Sequence, residues 1–298
     1  MQQEIGGTIL KSDSHVWLVL FFVMVCFAAN SVITRYLVLE SQISPFLLTV
    51  VRFVSGLGTL LILSMLGPTT FRHNRPGSSY FLGALFLGAY AFSISYGYLF
   101  IPVAAGTFVF YTFVVVTMVA SSVIVDHARL TFRLALGQLL GLLGVLIITF
   151  SRIGSVTLLG VLLMAATGTS WGLYSAYGKK FGNAFGYTYN SFLILGAGAI
   201  LASIVLWFSA VPIFTDISVQ NLSLALYMGM VSTALSYIAW NETVKKIPAS
   251  LGGLVQLVVP VLAPVMGIAF LGERVNTTLV IGGGLVLAGI YLAQWRRS

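Results

Sequence analysis

Ten apolar runs, each about 20 residues long, divide this chain at charged or Pro/Gly-rich breaks. They cover residues 16–36, 44–66, 79–99, 103–125, 131–150, 155–177, 186–209, 221–240, 249–271 and 277–295. A helical run of that length crosses a hydrocarbon core of about 30 Å. A membrane β-strand would instead show about 10 residues of alternating polarity. Helices also satisfy every backbone polar group internally, which hydrocarbon demands. Composition agrees: charged residues are 7% of the chain and hydrophobic residues 58%, whereas soluble domains carry about 25% charge. The expected fold is all-α and integral to the membrane, with ten transmembrane helices in a single membrane domain over residues 1–298. The shortest break, Phe100-Ile101-Pro102, separates spans three and four, because Tyr80–Val125 is too long for one helix. Residues 1–14 carry Glu4 and Asp13 beside Lys11, and the run after them is too long for a signal-peptide core. Val16–Tyr36 is therefore read as the first span.

The basic residues test this count. With alternating breaks assigned to opposite faces, one face holds Lys11, Arg72, Arg75, Arg129, Arg133, Lys179, Lys180, Lys245, Lys246, Arg296 and Arg297. The other holds Arg35, Arg152 and Arg274, and Arg52 lies within span two. Removing one helix would scramble this asymmetry. The positive-inside rule then places both termini in the cytoplasm. The net charge of +8 is explained as topology signal, so nucleic acid is not an expected partner. The single cysteine, Cys26, excludes a disulfide framework or a cysteine metal cluster. His15, His73 and His127 sit at the edges of apolar runs.

The two halves resemble each other. Ile101-Pro102-Val103-Ala104-Ala105-Gly106 aligns with Ile247-Pro248-Ala249-Ser250-Leu251-Gly252 at a spacing of 146 residues. The register continues through Val109/Val255, Val115/Val261, Thr131/Thr277, Gly137/Gly283 and Leu139/Leu285. Five spans per half is odd, so the copies enter the membrane from opposite faces. The expectation is two inverted five-helix repeats, with a solute site near the midplane between them.

The C-terminal stretch carries a further resemblance. Ile247-Pro248-Ala249-Ser250 leads into an apolar run holding Pro260 and Pro264. Leu271-Gly272-Glu273-Arg274 follows, and then Ile281-Gly282-Gly283-Gly284-Leu285-Val286-Leu287-Ala288-Gly289. This pattern is similar to that of the EamA-type drug/metabolite transporter superfamily. Asn30-Ser31, Arg52 and Trp171 with Tyr174 resemble it too, and within the superfamily the chain looks most like the YddG-type amino-acid exporters. The first half departs from the motif, with Asp126-His127-Ala128-Arg129 where a Gly-Glu-Arg turn would stand. The resemblance implies two EamA-like repeats over 16–150 and 155–295. It also implies export of amino acids or similar metabolites across a bacterial cytoplasmic (inner) membrane.

Ionisable groups inside a membrane are functional candidates by default. None of the seven acids (Glu4, Asp13, Glu40, Asp126, Asp216, Glu242 and Glu273) lies in mid-span. A proton-coupling carboxylate is therefore not expected, and gradient-driven, facilitated transport is. Arg52 has two readings: capture of a substrate carboxylate, or a structural cation bonded to helix-end carbonyls or snorkelling to the interface.

Uncharged polar and aromatic residues recur at helical spacing. They are Tyr90, Ser93 and Tyr96 in span three, Thr107 and Tyr111 in span four, and Trp171, Tyr174 and Ser175 in span six. Span eight adds Thr233, Ser236 and Tyr237, span one Asn30 and Thr34, and span nine Gln256. Such groups can bond a zwitterion while ring faces hold an ammonium and an apolar side chain. The competing reading is interhelical glue. Trp240 and Tyr98 lie near expected span ends, where aromatic belts form. Gln256 is the leading single candidate, since an unpaired amide in hydrocarbon is costly. Pro260 and Pro264 are candidate hinges. Gly137/Gly141 and Gly168/Gly172 read as close helix packing. Spans five and ten are expected to be scaffold, with spans one, three, four, six, eight and nine around the cavity.

The expected function is secondary transport by alternating access of neutral amino acids, aromatic ones among them, or of similar small metabolites. The expected partners are that solute and the lipid bilayer. No cofactor is expected, since no Walker A, HExxH or GxSxG motif is present. Carriage of phosphorylated or nucleotide-sugar metabolites would need several cavity cations, and drugs are a further class of cargo. A membrane enzyme would need catalytic groups. A sensor would need a soluble domain, yet no loop exceeds about a dozen residues.

Overall fold

The apolar runs form helices. The computed structural model describes residues 14–67, 78–101, 103–150, 156–208, 217–271 and 277–294, and among these every regular element is helical. Span one is α1 (Ser14–Arg35), which continues into a π-helical segment, Tyr36–Glu40. Spans two to seven are α2 (Pro45–Leu66), α3 (Ser78–Gly97), α4 (Val103–Ile124), α5 (Phe132–Phe150), α6 (Leu158–Gly178) and α7 (Ala184–Phe208). Span eight joins α8 (Val219–Tyr227), a π-helical segment (Met228–Leu235) and α9 (Ser236–Val244). Span nine joins α10 (Ala249–Val255), a 3-10 turn (Gln256–Val258) and α11 (Val259–Leu271), and span ten is α12 (Thr277–Gln294). Among the described residues nine helices are long and apolar enough to cross a membrane, and a tenth apolar helix, Thr277–Ala293, is shorter.

Local chemistry sets the helix ends. Pro45 opens α2, where its missing N–H costs nothing. The Thr157 side chain caps α6 by accepting from Gly160 N at 3.1 Å, and Ser218 caps α8 by accepting from Asn221 N at 3.2 Å. Span eight runs to Val244 instead of ending near residue 240, so Trp240 lies inside it, while Tyr98 follows the last residue of α3 and is turned inward. Both are buried. Trp240 Nε1 donates to Ser175 Oγ at 2.9 Å, so Trp240 is an interior contact and not part of an interface belt. Asp126, in the turn that departs from the family motif, pairs with Lys179 at 2.9 Å and so ties the α4–α5 loop to the α6–α7 loop. Lys11, Arg72, Arg75, Arg152, Arg274, Arg296 and Arg297 of the charge asymmetry lie outside the described residues, as do Glu4, Asp13, Asp216 and Glu273.

The outer surface is apolar, with Leu18, Phe21, Met65, Phe132 and Phe208 well exposed, as a lipid-facing wall requires. The helices pack α1 against span eight and α11, α2 against α7 and the Met228–Leu235 segment, and α3 against α6 and α7. α6 also packs on α4, and α5 on α12. The last pair is a backbone contact. A Cβ at Gly144 would collide with the Gly282 carbonyl oxygen, and one at Gly282 with that of Gly144. Gly137 and Gly289 stand in the same relation. Close approach of this kind, not solvent exclusion, drives helix association in lipid. Gly144→Val should lower stability by about 1–3 kcal/mol, read as a lower thermal unfolding midpoint in detergent. Gly284→Ala on the same helix, where nothing lies within 4 Å of an added Cβ, should stay within about 0.5 kcal/mol of the parent.

Candidate solute site

Six spans converge on one interior cavity. Its walls are Phe27, Asn30 and Ser31 from α1, Tyr90 from α3, Phe110 and Tyr111 from α4, Trp171 from α6, Tyr237 from α9 and Gln256 from span nine. No side chain in that wall is charged. Six of the nine wall residues are aromatic, three of them tyrosines with a hydroxyl to offer, and an amide, a hydroxyl and a second amide stand among them at Asn30, Ser31 and Gln256. The enclosed space is small, about 10 Å³, roughly what one water molecule needs and far below the roughly 300–1,000 Å³ of ordinary small-molecule sites. The rings pack on one another across it. Trp171 lies 4.8 Å from Tyr237, 5.1 Å from Tyr90 and 5.3 Å from Phe27 between ring centroids. Offset and edge-on contacts at these distances are favourable.

Gln256 is held by the break in its own helix. Pro260 cannot donate to the Gln256 carbonyl four residues back. The chain tightens instead, and Val259 N–H bonds the Gln256 carbonyl in the 3-10 turn. The side chain is fully buried, yet it is satisfied: Trp171 Nε1 donates to Oε1 at 2.6 Å, and Nε2 donates to the Gly252 carbonyl at 3.3 Å. Pro260 therefore sits one turn past the site amide, and Pro264 lies inside α11.

From the cavity a column of rings runs toward the end of the bundle formed by α3, α6 and α7. Trp171 stacks on Tyr174, Tyr174 on Tyr187, Tyr187 on Phe181 and Phe181 on Tyr80, with centroids 4.8–5.7 Å apart. Tyr187 Oη donates to the Tyr174 carbonyl at 2.9 Å, and Tyr177 Oη donates to the Ser79 carbonyl at 3.0 Å. Asn241 Nδ2 bonds Tyr174 Oη at 3.2 Å and Thr188 Oγ1 at 3.0 Å, which joins α9 to this column.

Behind Asn30 lies Arg52, 1% exposed. It neither snorkels nor caps helix-end carbonyls. Its Nη2 donates to Thr34 Oγ1 at 3.0 Å, Asn30 Oδ1 at 3.3 Å and Met228 Sδ at 3.5 Å, whereas Nε and Nη1 have no partner among the described residues. Met228 opens the π-helical segment of span eight, and Thr34 lies just ahead of the one that ends span one. π-Helical turns inside α-helices cluster at functional sites.

Of the residues singled out in the sequence, Asn30, Tyr90, Tyr111, Trp171, Tyr237 and Gln256 line the cavity. Thr34 and Arg52 stand behind it. Tyr174 belongs to the ring column, and Ser175 accepts from Trp240. Thr233 and Ser236 bond carbonyls of their own helix, at Met228 and Ser232, with 2.7 Å each. Thr107 lies beside Tyr98. Ser93 is buried outside the cavity wall. Tyr96 packs on the exposed Phe92, with ring centroids 4.6 Å apart. Tyr96 misses the wall because six residues advance a helix by about 600°, well off the face of Tyr90. Thr233 misses it because the π segment shifts the phase. Phe27, Ser31 and Phe110 complete the wall. Their signal was proximity alone: Phe27 lies one turn before Asn30, and Ser31 and Phe110 adjoin Asn30 and Tyr111.

The Trp171–Gln256 bond yields a direct test. A double-mutant cycle of Trp171→Phe and Gln256→Leu should show a coupling energy of about 0.5–2 kcal/mol in unfolding. Additive effects would mean that the bond contributes nothing to the wall.

Comparison with known proteins gives these features a context. A Pseudomonas aeruginosa protein named uncharacterized protein PA1977 is 30% identical over 280 residues, 94% of each chain. An uncharacterized transporter of Archaeoglobus fulgidus is 24% identical over 86% of this chain and 90% of its own. A solved crystal structure shares the fold, with a TM-score of 0.79 and 21% identity over 95% of this chain and 98% of that one. The profile of the EamA-like transporter family matches twice, at residues 15–150 and 158–295. The chain thus belongs to the EamA-like transporter family of the drug/metabolite transporter superfamily, as an integral membrane transporter of small solutes.

Proposed function

We propose that the protein exports neutral amino acids, aromatic ones among them, or closely similar metabolites, and does so by alternating access around the six-span cavity. The observation that carries this reading is the wall itself: aromatic faces with hydrogen-bonding groups between them and no charged side chain. A zwitterion with an apolar side chain suits such a wall, since amides and hydroxyls bond its polar end and rings hold its ammonium and its body. A multiply phosphorylated solute would need several cations, and the wall supplies none. The ring column from Trp171 to Tyr80 serves as the barrier toward one side, and the small cavity is the collapsed, solute-free form.

Alternating access is supported by pairing of equivalent helices. Advancing each span by five maps contact three–six onto eight–one, four–six onto nine–one, and two–eight onto seven–three, while five–ten and two–seven map onto themselves. That is the pattern of an inverted repeat with a pseudo-two-fold axis, and the double family match has the same division. On this reading residues 16–150 and 155–295 are the two repeats, and Pro260 and Pro264 are hinges beside the site. The distribution of basic residues supports cytoplasmic termini, and the family likeness is the ground for a bacterial inner membrane.

Transport is proposed to run down the solute's own gradient. The acids in the described residues, Glu40, Asp126 and Glu242, are all exposed. Purified protein in liposomes, with radiolabelled amino acids and no ion gradient, should show saturable flux of neutral and aromatic amino acids. Gln256→Ala and Tyr90→Ala should reduce it by at least about tenfold, the loss of roughly one good contact. Flux that starts only with an imposed proton or sodium gradient would overturn the uncoupled mechanism. No amino-acid flux under any condition would overturn the substrate class.

A further inference from the structure

A guanidinium is a permanent cation with five N–H donors. In Arg52 the two on Nη2 serve Thr34, Asn30 and Met228, and the three on Nε and Nη1 serve nothing among the described residues. No acidic side chain pairs with it there: the ion pairs found join Lys179 to Asp126 and Lys245 to Glu242. Its partners are neutral, and one of them, Met228 Sδ, is a weak acceptor. A buried charge left without a counter-charge is strongly unfavourable, so proteins pair buried charges or bind ions with them. The Tyr237 hydroxyl, on the cavity wall, is buried and has no hydrogen-bond partner among the described residues. Two observations therefore point the same way: an uncompensated buried cation behind Asn30, and an unpartnered hydroxyl on the cavity wall.

We propose that Arg52 is the receptor for one small monoanionic group, reached from the cavity past Asn30. The group is either the carboxylate of the carried solute or a free chloride ion. The geometry of the guanidinium adds a mechanism. Each of its two forks contains Nη2, paired with Nε in one and with Nη1 in the other. A carboxylate that engages either fork must share Nη2, and the bonds most readily displaced are the weak one to Met228 Sδ at 3.5 Å and the long one to Asn30 Oδ1 at 3.3 Å. Anion binding thus frees the Asn30 amide to turn into the cavity. It also loosens the link between α1, α2 and the first turn of the π-helical segment, which is where span eight meets α2. The site rests on the proposed transport of amino acids only for the identity of the carboxylate, since the unpaired donors stand without it.

The test uses purified full-length protein in neutral detergent and reads the thermal unfolding midpoint against sodium acetate or sodium chloride. The parent should gain a few degrees as the anion saturates the site, since a ligand of the native state stabilises it by mass action. Arg52→Gln should lose that gain. Because Arg52→Gln also disturbs packing, Asn30→Asp is the decisive variant. It places a carboxylate on the guanidinium from within, so it should fold at least as well as the parent in anion-free buffer and no longer respond to added anion. Equal responses in the parent and in Asn30→Asp would overturn the site, because salt would then act elsewhere. An unresponsive parent would overturn it as well. Competition of flux in liposomes separates the sources. If amino acids compete and their amides do not, and Arg52→Gln erases that difference, the solute's carboxylate is the ligand. If flux follows chloride and ignores amidation, the ligand is chloride. An anion response without any amino-acid flux would leave the site standing and sink the amino-acid reading alone.

Discussion

Hydrocarbon has no water to offer a free N–H or C=O, and this single constraint shapes the molecule. It makes every described regular element helical. It also makes each interruption of a helix conspicuous, because the freed groups must find partners. The interruptions are few and lie beside the site. The 3-10 turn at Gln256–Val258 re-forms the backbone bond that Pro260 forbids, and it presents a fully buried amide to Trp171. The π-helical segment at Met228–Leu235 brings its first residue against Arg52. By contrast α5 and α12 are continuous, meet through glycines, and contribute nothing to the cavity wall.

The same constraint divides the interior polar groups into two kinds. Most are satisfied within the protein: Trp240 by Ser175, Trp171 by Gln256, Asn241 Nδ2 by Tyr174 and Thr188. These fix the helices. Arg52 Nε and Nη1 and the Tyr237 hydroxyl are not satisfied, and neither are Ser232 Oγ and Asn241 Oδ1; among these Tyr237 stands on the cavity wall and Arg52 behind Asn30. A carrier needs this second kind, since a wall fully bonded to itself has nothing left for a solute. In the proposed mechanism the ring column is the complement, a barrier toward one side built mainly of ring contacts.

The fold was legible in the sequence because its signal is length. Twenty apolar residues between charged breaks admit few readings, and the described helices follow the expected spans to within a few residues. Much of the wall of the candidate site was legible too. Asn30, Gln256 and the rings of spans three, four, six and eight are polar or amphipathic groups placed where lipid tolerates them poorly. What the sequence hid was phase. Spacing of i, i+3, i+6 grouped Tyr96 with Tyr90, although a 3.6-residue period turns it about 120° off that face, and Thr233 was grouped with Tyr237, although it lies inside a π turn that nothing in Met228-Gly229-Met230 announces. Trp240 read as an interface residue because the extent of span eight depends on that same turn. The partners of Arg52 Nη2 were equally hidden, since they are side chains from α1 and span eight that only the packed bundle brings together.

The central claim is that the six-span cavity is the solute path, open in turn to either side. The most direct measurement uses Ser31, a small residue on its wall. Ser31→Cys is made after the single native cysteine, Cys26, is replaced by alanine, and is probed in sealed vesicles with a membrane-impermeant thiol reagent applied from one face at a time. The account predicts modification from both faces and slower modification at each when transported amino acid is present. Modification from one face alone, or at rates the solute does not change, would contradict it.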